Sequence, residues 1–386
     1  MSRQIGQRHS HASLLRDVST SAVPPSRSRL DAIVVPAARP ASALQNIIEL
    51  SAALSVPLVV LCSRQTSGEQ VRERVEECFG ARALIVDVPS DYQLPEQSYA
   101  TAHPTFLKAS ADRSSDLSTK RNIGLLLARL RGWHKILFVD DDISHLRPYD
   151  VGRLTSVLDR NPVASMITRR FPDNSVVCHA RRLAGFDQDI FVSGAVLGVQ
   201  VQHPELSFFP DVYNEDWFFF ARQAADRHLP KVGEVRQLDY LPFYDPQRAA
   251  REEFGDLLAE GLYALFESTP GWHFDDQLKL AASRSYWRDF QQIRLEMIQE
   301  TLDKLAPAHH PHVRSAEKSL IEATSQASAI DAELCVDYLE AWQQDERRWQ
   351  KRLVNLSPAS SDRYALAELG LPGGIACGYG AEAVVR

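Results

Sequence analysis

Three short apolar runs, each parted from the next by an amphipathic stripe, restrict this chain to very few architectures. Asp31-Ala-Ile-Val-Val-Pro36 is an apolar run ended by proline, as in a strand buried on both faces. Leu44, Ile47, Ile48, Ser51 and Leu54 then share one helical face. Val56–Cys62 reads as a second strand, Val71, Val75, Cys78 and Phe79 as the next helical face, and Ala83–Val88 as a third strand. Strand, helix, strand, helix, strand at this spacing predicts right-handed crossovers and an α/β fold with a mostly parallel sheet.

The rest of the chain extends that plan. Residues 89–117 are polar and too long for an ordinary connection, which marks a binding loop. Ser118-Thr119 offers an N-cap for a helix carrying Leu125, Leu126, Leu127 and Leu130. The strand Ile136–Val139 follows, and strands are expected near Val163–Thr168 and Phe191–Val199. Helices are expected from Glu215 and through Phe254–Leu265. Beyond Trp272 the pattern is helical without strands. We therefore divide the chain into a disordered arm (1–29), an α/β domain (30–270), a helical appendage (271–355) and a loosely ordered tail (356–386).

Composition excludes several functions. With 44% hydrophobic and 24% charged residues the chain has enough apolar material for a core, so wholesale disorder is excluded. A net charge of −7 argues against a broad grip on nucleic acid or an anionic membrane. Its longest apolar stretches, such as Val56–Cys62 and Ile190–Val199, are too short to span a bilayer. Five scattered cysteines without a CxxC pair suggest reduced thiols and a cytoplasmic location.

The chemistry concentrates in Phe138-Val-Asp140-Asp141-Asp142-Ile143. Three successive carboxylates at the end of a buried strand repel one another unless a cation sits there. Alternation puts Asp140 and Asp142 on one side, and oxygen ligands suit Mg²⁺ or Mn²⁺ completed by substrate phosphates. Ligands of open α/β sheets bind at this end of the strands. The competing explanation is an acidic turn that caps a following helix. Upstream, Lys120 and Arg121 stand in a first helical turn, where they oppose the helix dipole unless an anion is bound there. A solvated basic pair is the alternative. Downstream, Glu215-Asp216 precede Trp217–Phe220, which should bury them, and a buried acid is a candidate general base. A dipole-complementing helix start would look the same.

In order, Lys120-Arg121-Asn122-Ile-Gly124, Asp140-x-Asp142 and Glu215-Asp216 with Arg222 six residues on resemble the GT-A-fold glycosyltransferases, closest to the family 2 nucleotide-sugar transferases. The resemblance covers roughly residues 30–265. It implies a GT-A, Rossmann-like sheet with flanking helices, and a UDP- or GDP-linked sugar donor. It also implies Mn²⁺ or Mg²⁺ at Asp142 with Asp140 close to the ribose, and Asp216 as base with Glu215 as its alternative. In that fold Pro36, Ala37 and Arg39 at the first strand's end, and Ser63 at the second's, line the nucleoside pocket beside Asp141. No acid stands at the second strand's end, where many members carry an Asp for the base. Ser193-Gly194 resembles the acceptor-side strand, and His273 the late metal ligand that some GT-A enzymes carry. A sugar-phosphate nucleotidyltransferase would instead need a glycine-rich loop after the first strand, where Pro36-Ala-Ala-Arg-Pro40 has none. A non-catalytic scaffold would work through the carboxyl-terminal helices, whose amphipathic faces also suit self-association.

Overall fold

The computed structural model describes residues 10–95, 98–169, 175–308 and 310–378. Its centre is a ten-stranded sheet. The strands are β1 (Leu15–Asp17), β2 (Ala32–Ala37), β3 (Leu58–Cys62), β4 (Ala83–Asp87), β5 (Lys135–Val139), β6 (Ile143–Ser144), β7 (Val163–Thr168), β8 (Val196–Gln200), β9 (Leu229–Gln237) and β10 (Ile375–Cys377). The order is β1-β9-β7-β8-β5-β2-β3-β4-β10, with β6 on β9. Strands β4, β3, β2 and β5 are parallel, while β8 runs antiparallel to both β5 and β7. The expected mostly parallel α/β sheet is what forms.

Helices cover both faces. In chain order they are α1 (Gln45–Leu54), α2 (Gly68–Glu77), α3 (Pro104–Ala109), α4 (Leu117–Leu130), α5 (Pro148–Val157), α6 (Val176–Leu183), α7 (Glu215–Phe219), α8 (Ala221–Ala225), α9 (Gln247–Ser268), α10 (Phe274–Ala281), α11 (Arg284–Leu305), α12 (Pro311–Ala329), α13 (Ala332–Asn355) and α14 (Asp362–Glu368). The period-2 geometry of the strands sorts the core. Ala32, Val34, Ile136 and Phe138 face α4 and α9, while Ile33, Val35, Leu137 and Val139 face α1 and α5. Among the described residues no helix is long and apolar enough to cross a membrane.

Both chain ends differ from the sequence reading. Within the segment read as a disordered arm, Leu14 is fully buried and β1 pairs in parallel with β9. A three-residue edge strand leaves no apolar run to detect, because its hydrogen bonds come from a strand more than 200 residues away. The segment read as a loose tail forms α14 and β10, which is antiparallel to β4. The first nine and last eight residues, which shared those two expectations, lie outside the described residues. The strand expected over Phe191–Val199 starts only at Val196, because the Gly194 N–H donates to a side chain instead of the ladder. Nor do the carboxyl-terminal helices stand apart: Tyr338, Trp342 and Trp349 of α13 share one core cluster with Val34 and Phe138.

A titration follows from that docking. Glu346 of α13 accepts a hydrogen bond from Ser207, and burial pushes its carboxyl from 4.5 up to about 7. Between those values the folded chain holds a proton that the unfolded chain has lost, so this group's contribution falls as pH rises through the window. Glu346→Gln keeps an acceptor for Ser207 and removes the charge. We expect it to match the wild type near pH 4 and to gain about 1–2 kcal/mol at pH 8, read by thermal unfolding. Equal stability at both pH values would show that the carboxylate is solvated.

Candidate functional site

The carboxyl ends of β2, β3 and β5 lie side by side, and the residues just beyond them form a connected polar cluster. Past β2, the N–H groups of Ala38 and Arg39 donate to Asp141 Oδ2 at 2.6 and 2.8 Å. The Arg39 guanidinium spans two acids, with Nε 3.2 Å from Asp141 Oδ1 and Nη2 2.7 Å from Asp142 Oδ2. Asp141 is thus taken up by the turn after β2 and offers a ligand little, contrary to its assignment to the donor pocket. Pro36 is buried within β2, and Ala37 contributes its carbonyl rather than its side chain.

The N-cap of α4 is Asp116 rather than Ser118 or Thr119, which sets Lys120 and Arg121 past the first turn and into the interior. Lys120, 1% exposed, donates to Ala37 O at 2.7 Å and Ser63 Oγ at 2.6 Å, with Asp116 at 3.3 Å. Ser63 in turn donates to Asp116. Burial lowers the Lys120 ammonium's pKa and the Asp116 charge opposes that shift. This ammonium locks β2, β3 and α4 together. Arg121 is 2% exposed and lies between Glu215 Oε1, 2.7 Å from Nη1, and both oxygens of Asp140, 3.0 and 3.1 Å from Nη2. Neither cation is an open anion site of the kind the sequence suggested. Asn122 is not one either, since its amide donates to Phe209 O at 2.8 Å and accepts from Phe209 N at 2.9 Å.

Asp216 stands on the far side of Arg121. Its Oδ2 accepts the Gly194 N–H at 2.5 Å and its Oδ1 the Trp217 N–H at 2.9 Å. Gly194 is needed for a steric reason, because a Cβ there would lie 2.5 Å from Arg121 Nη1. Its neighbour Ser193 accepts from Ser165 through its carbonyl. Asn214, in the left-handed region at φ 63° and bonded to Asp256, turns the chain so that Glu215 meets Arg121 while Asp216 meets Gly194.

Asp142 completes the cluster. Burial pushes its carboxyl above the ordinary carboxylate range, and Arg39 pulls it back. Its Oδ2 also accepts from Gln237 Nε2 at 3.2 Å. Its Oδ1 is buried without a hydrogen-bond partner among the described residues, and so is Gln237 Oε1. Sequence reading missed Gln237 entirely, for it ends β9, a strand with no clear apolar run, and reaches Asp142 only because β6 pairs Ile143 with it. The three expected metal ligands do not converge. Asp140 faces Arg121, and His273 is exposed at the start of α10, which packs on α9 and α11. Among the described residues no group of three His, Cys, Asp or Glu is arranged to hold a metal.

No family model matches the chain, and no curated protein matches it. It is similar to the mannosyltransferase PcManGT from Pyrobaculum calidifontis, solved in complex with GDP-Man and Mn²⁺. The TM-score is 0.33 at 13% identity, over 91% of this chain and 89% of that one. A likeness that slight leaves the chemistry to be argued from the residues themselves.

Proposed function

We propose that the chain is a cation-dependent glycosyltransferase that uses a nucleoside-diphosphate sugar. The observation that carries this reading is the pair of buried oxygens without partners, Asp142 Oδ1 and Gln237 Oε1, on two side chains already in contact. A buried carboxylate oxygen left unbonded costs folding free energy, and a hard divalent cation removes that cost. Mn²⁺ or Mg²⁺ would be held by these two oxygens, with water and diphosphate oxygens completing the shell. Such an ion, when bound, stabilises negative charge on a departing diphosphate.

The chain's own residues divide the remaining work. Arg39 and Arg64, with side chains 41% and 53% exposed, are cations beside the cluster and would reach a diphosphate. The ends of β2 and β3, at Ala37 and Ser63, flank the nucleoside. Asp140, the more exposed partner of Arg121, would accept from a ribose hydroxyl. Asp216, dry and held by two N–H groups, takes the proton of the acceptor hydroxyl as that oxygen attacks the anomeric carbon, which inverts the configuration.

The test is a thermal-shift titration of UDP and GDP with and without Mn²⁺, followed by hydrolysis of a nucleotide-sugar panel. Stabilisation that requires both nucleotide and metal is expected. Its absence with every nucleotide would overturn the reading. A further outcome separates the cations. Because Lys120 and Arg121 are interior, Arg39→Ala is the variant that should weaken nucleoside-diphosphate binding, by about 10- to 100-fold, as one charge-assisted hydrogen bond is worth about 1.5–3 kcal/mol. The matching nucleoside should bind unchanged. Equal losses for both would assign Arg39 to holding Asp141 and Asp142 alone.

A further inference from the structure

His11 does not lie on the surface. The imidazole is 5% exposed, with Nε2 2.9 Å from Glu260 Oε2. Trp217, Tyr263 and Phe191 surround it, their ring centroids 5.4, 5.6 and 6.1 Å away and their planes steeply inclined to that of the imidazole. Trp217 and Tyr263 also pack on each other at 4.4 Å. A cavity of about 40 Å³ is all that remains beside the ring, room for little more than water.

The box adjoins the proposed base on both sides. Trp217 donates its N–H to Asp216, and Phe191 lies three residues before Gly194, which donates to the same carboxylate. The segment that carries His11 is fastened elsewhere. Ser10 donates to Asp189, Ser13 to Glu267, Arg227 to Ser13 O, and β1 pairs with β9. His11 itself makes one side-chain hydrogen bond; among the described residues its buried Nδ1 has none and lies 3.8 Å from Glu267 Oε2. Three aromatic rings and two carboxylates thus enclose one imidazole.

We propose that Phe191, Trp217, Tyr263 and Glu260 form a sugar-ring subsite on the acceptor side, which His11 occupies as a built-in competitor. The role of this subsite in transfer rests on the reading of Asp216 as base; its affinity for sugar does not. Aromatic faces pack against the apolar face of a pyranose, and a carboxylate accepts its hydroxyls. An imidazole offers a planar ring and one N–H donor to the same groups.

The experiment uses the full chain and its His11→Ala variant. Methyl α-D-mannopyranoside, methyl β-D-glucopyranoside and methyl β-D-galactopyranoside are titrated by calorimetry and saturation-transfer NMR. At least one should bind the variant tenfold or more tightly than the wild type, and Glu260→Gln added to His11→Ala should remove that gain. Equal affinity in variant and wild type, or binding of imidazole without any glycoside, would overturn the proposal and make the box a mere socket for the arm. Should His11→Ala not fold, Ser10→Ala with Ser13→Ala loosens the segment while leaving His11, Phe191, Trp217, Tyr263 and Glu260 in place, and gives the same test. Mn²⁺-dependent nucleotide stabilisation is read on the same samples. Its loss alone counts against the donor chemistry, and glycoside failure alone counts against the subsite.

Discussion

Asp142→Asn should abolish Mn²⁺-dependent binding of a nucleoside diphosphate while the chain stays folded. The wild-type carboxylate turns Oδ2 to Arg39 and Gln237 and leaves Oδ1 buried and, among the described residues, unbonded. Asparagine placed with its oxygen toward those two donors presents an NH₂ group on the vacant side, which repels a cation. Stability should change little, because the ion pair lost with half-exposed Arg39 is offset by a charge no longer buried. Titration of Mn²⁺ by its electron paramagnetic resonance signal, with UDP or GDP present, reads the loss directly. Gln237→Ala should raise the Mn²⁺ dissociation constant by a smaller factor, since it removes a neutral ligand. His273→Ala should leave it unchanged. Undiminished Mn²⁺ dependence in Asp142→Asn would place the metal elsewhere and end the case for this cluster.

The comparison of Asp142 with Lys120 shows what a sequence carries and what it does not. Asp142 was legible because its signal is local: an apolar run, then acids, at the strand end where ligands of α/β sheets bind. Lys120, Arg121 and Asn122 stood out for a local reason as well, their position after a polar loop, yet each one's role is set by a distant partner. Lys120 answers to Ala37 and Ser63, Arg121 to Asp140 and Glu215, and Asn122 to Phe209. A buried cation and a phosphate-binding cation have the same letters. What distinguishes them is whether the fold brings a carboxylate within reach, and that is fixed by the packing of α4 on β2 and by the turn at Asn214. Gln237 and His11 lie further from sequence reasoning. Neither sits in a motif, and each matters through a short strand pairing, of β6 or β1 with β9, that no periodicity announces. The alternation of strands and helices up to β5 was legible because each element there carries its own apolar pattern.

Asp216→Asn should cut sugar transfer by about 10²–10⁴-fold, the range for losing a general base, with donor affinity retained. Both carboxylate oxygens accept backbone N–H groups, so the asparagine NH₂ must face either Gly194 or Trp217 and forfeit one bond. A stability loss of about 1–3 kcal/mol is therefore expected beside the kinetic one, and the variant should be assayed well below its melting temperature. Glu215→Gln provides the contrast. It keeps an oxygen for Arg121 Nη1 but removes one of the carboxylate charges that offset that buried guanidinium, so folding should suffer before chemistry does. If Glu215→Gln folded normally and lost turnover while Asp216→Asn kept it, the base would be Glu215. Product configuration gives the independent check, because a single displacement by the hydroxyl that Asp216 deprotonates inverts the anomeric carbon. A folded Asp216→Asn with near-normal turnover and retained configuration would remove the base from the mechanism, and leave Asp216 as the residue that orders Gly194 against Arg121.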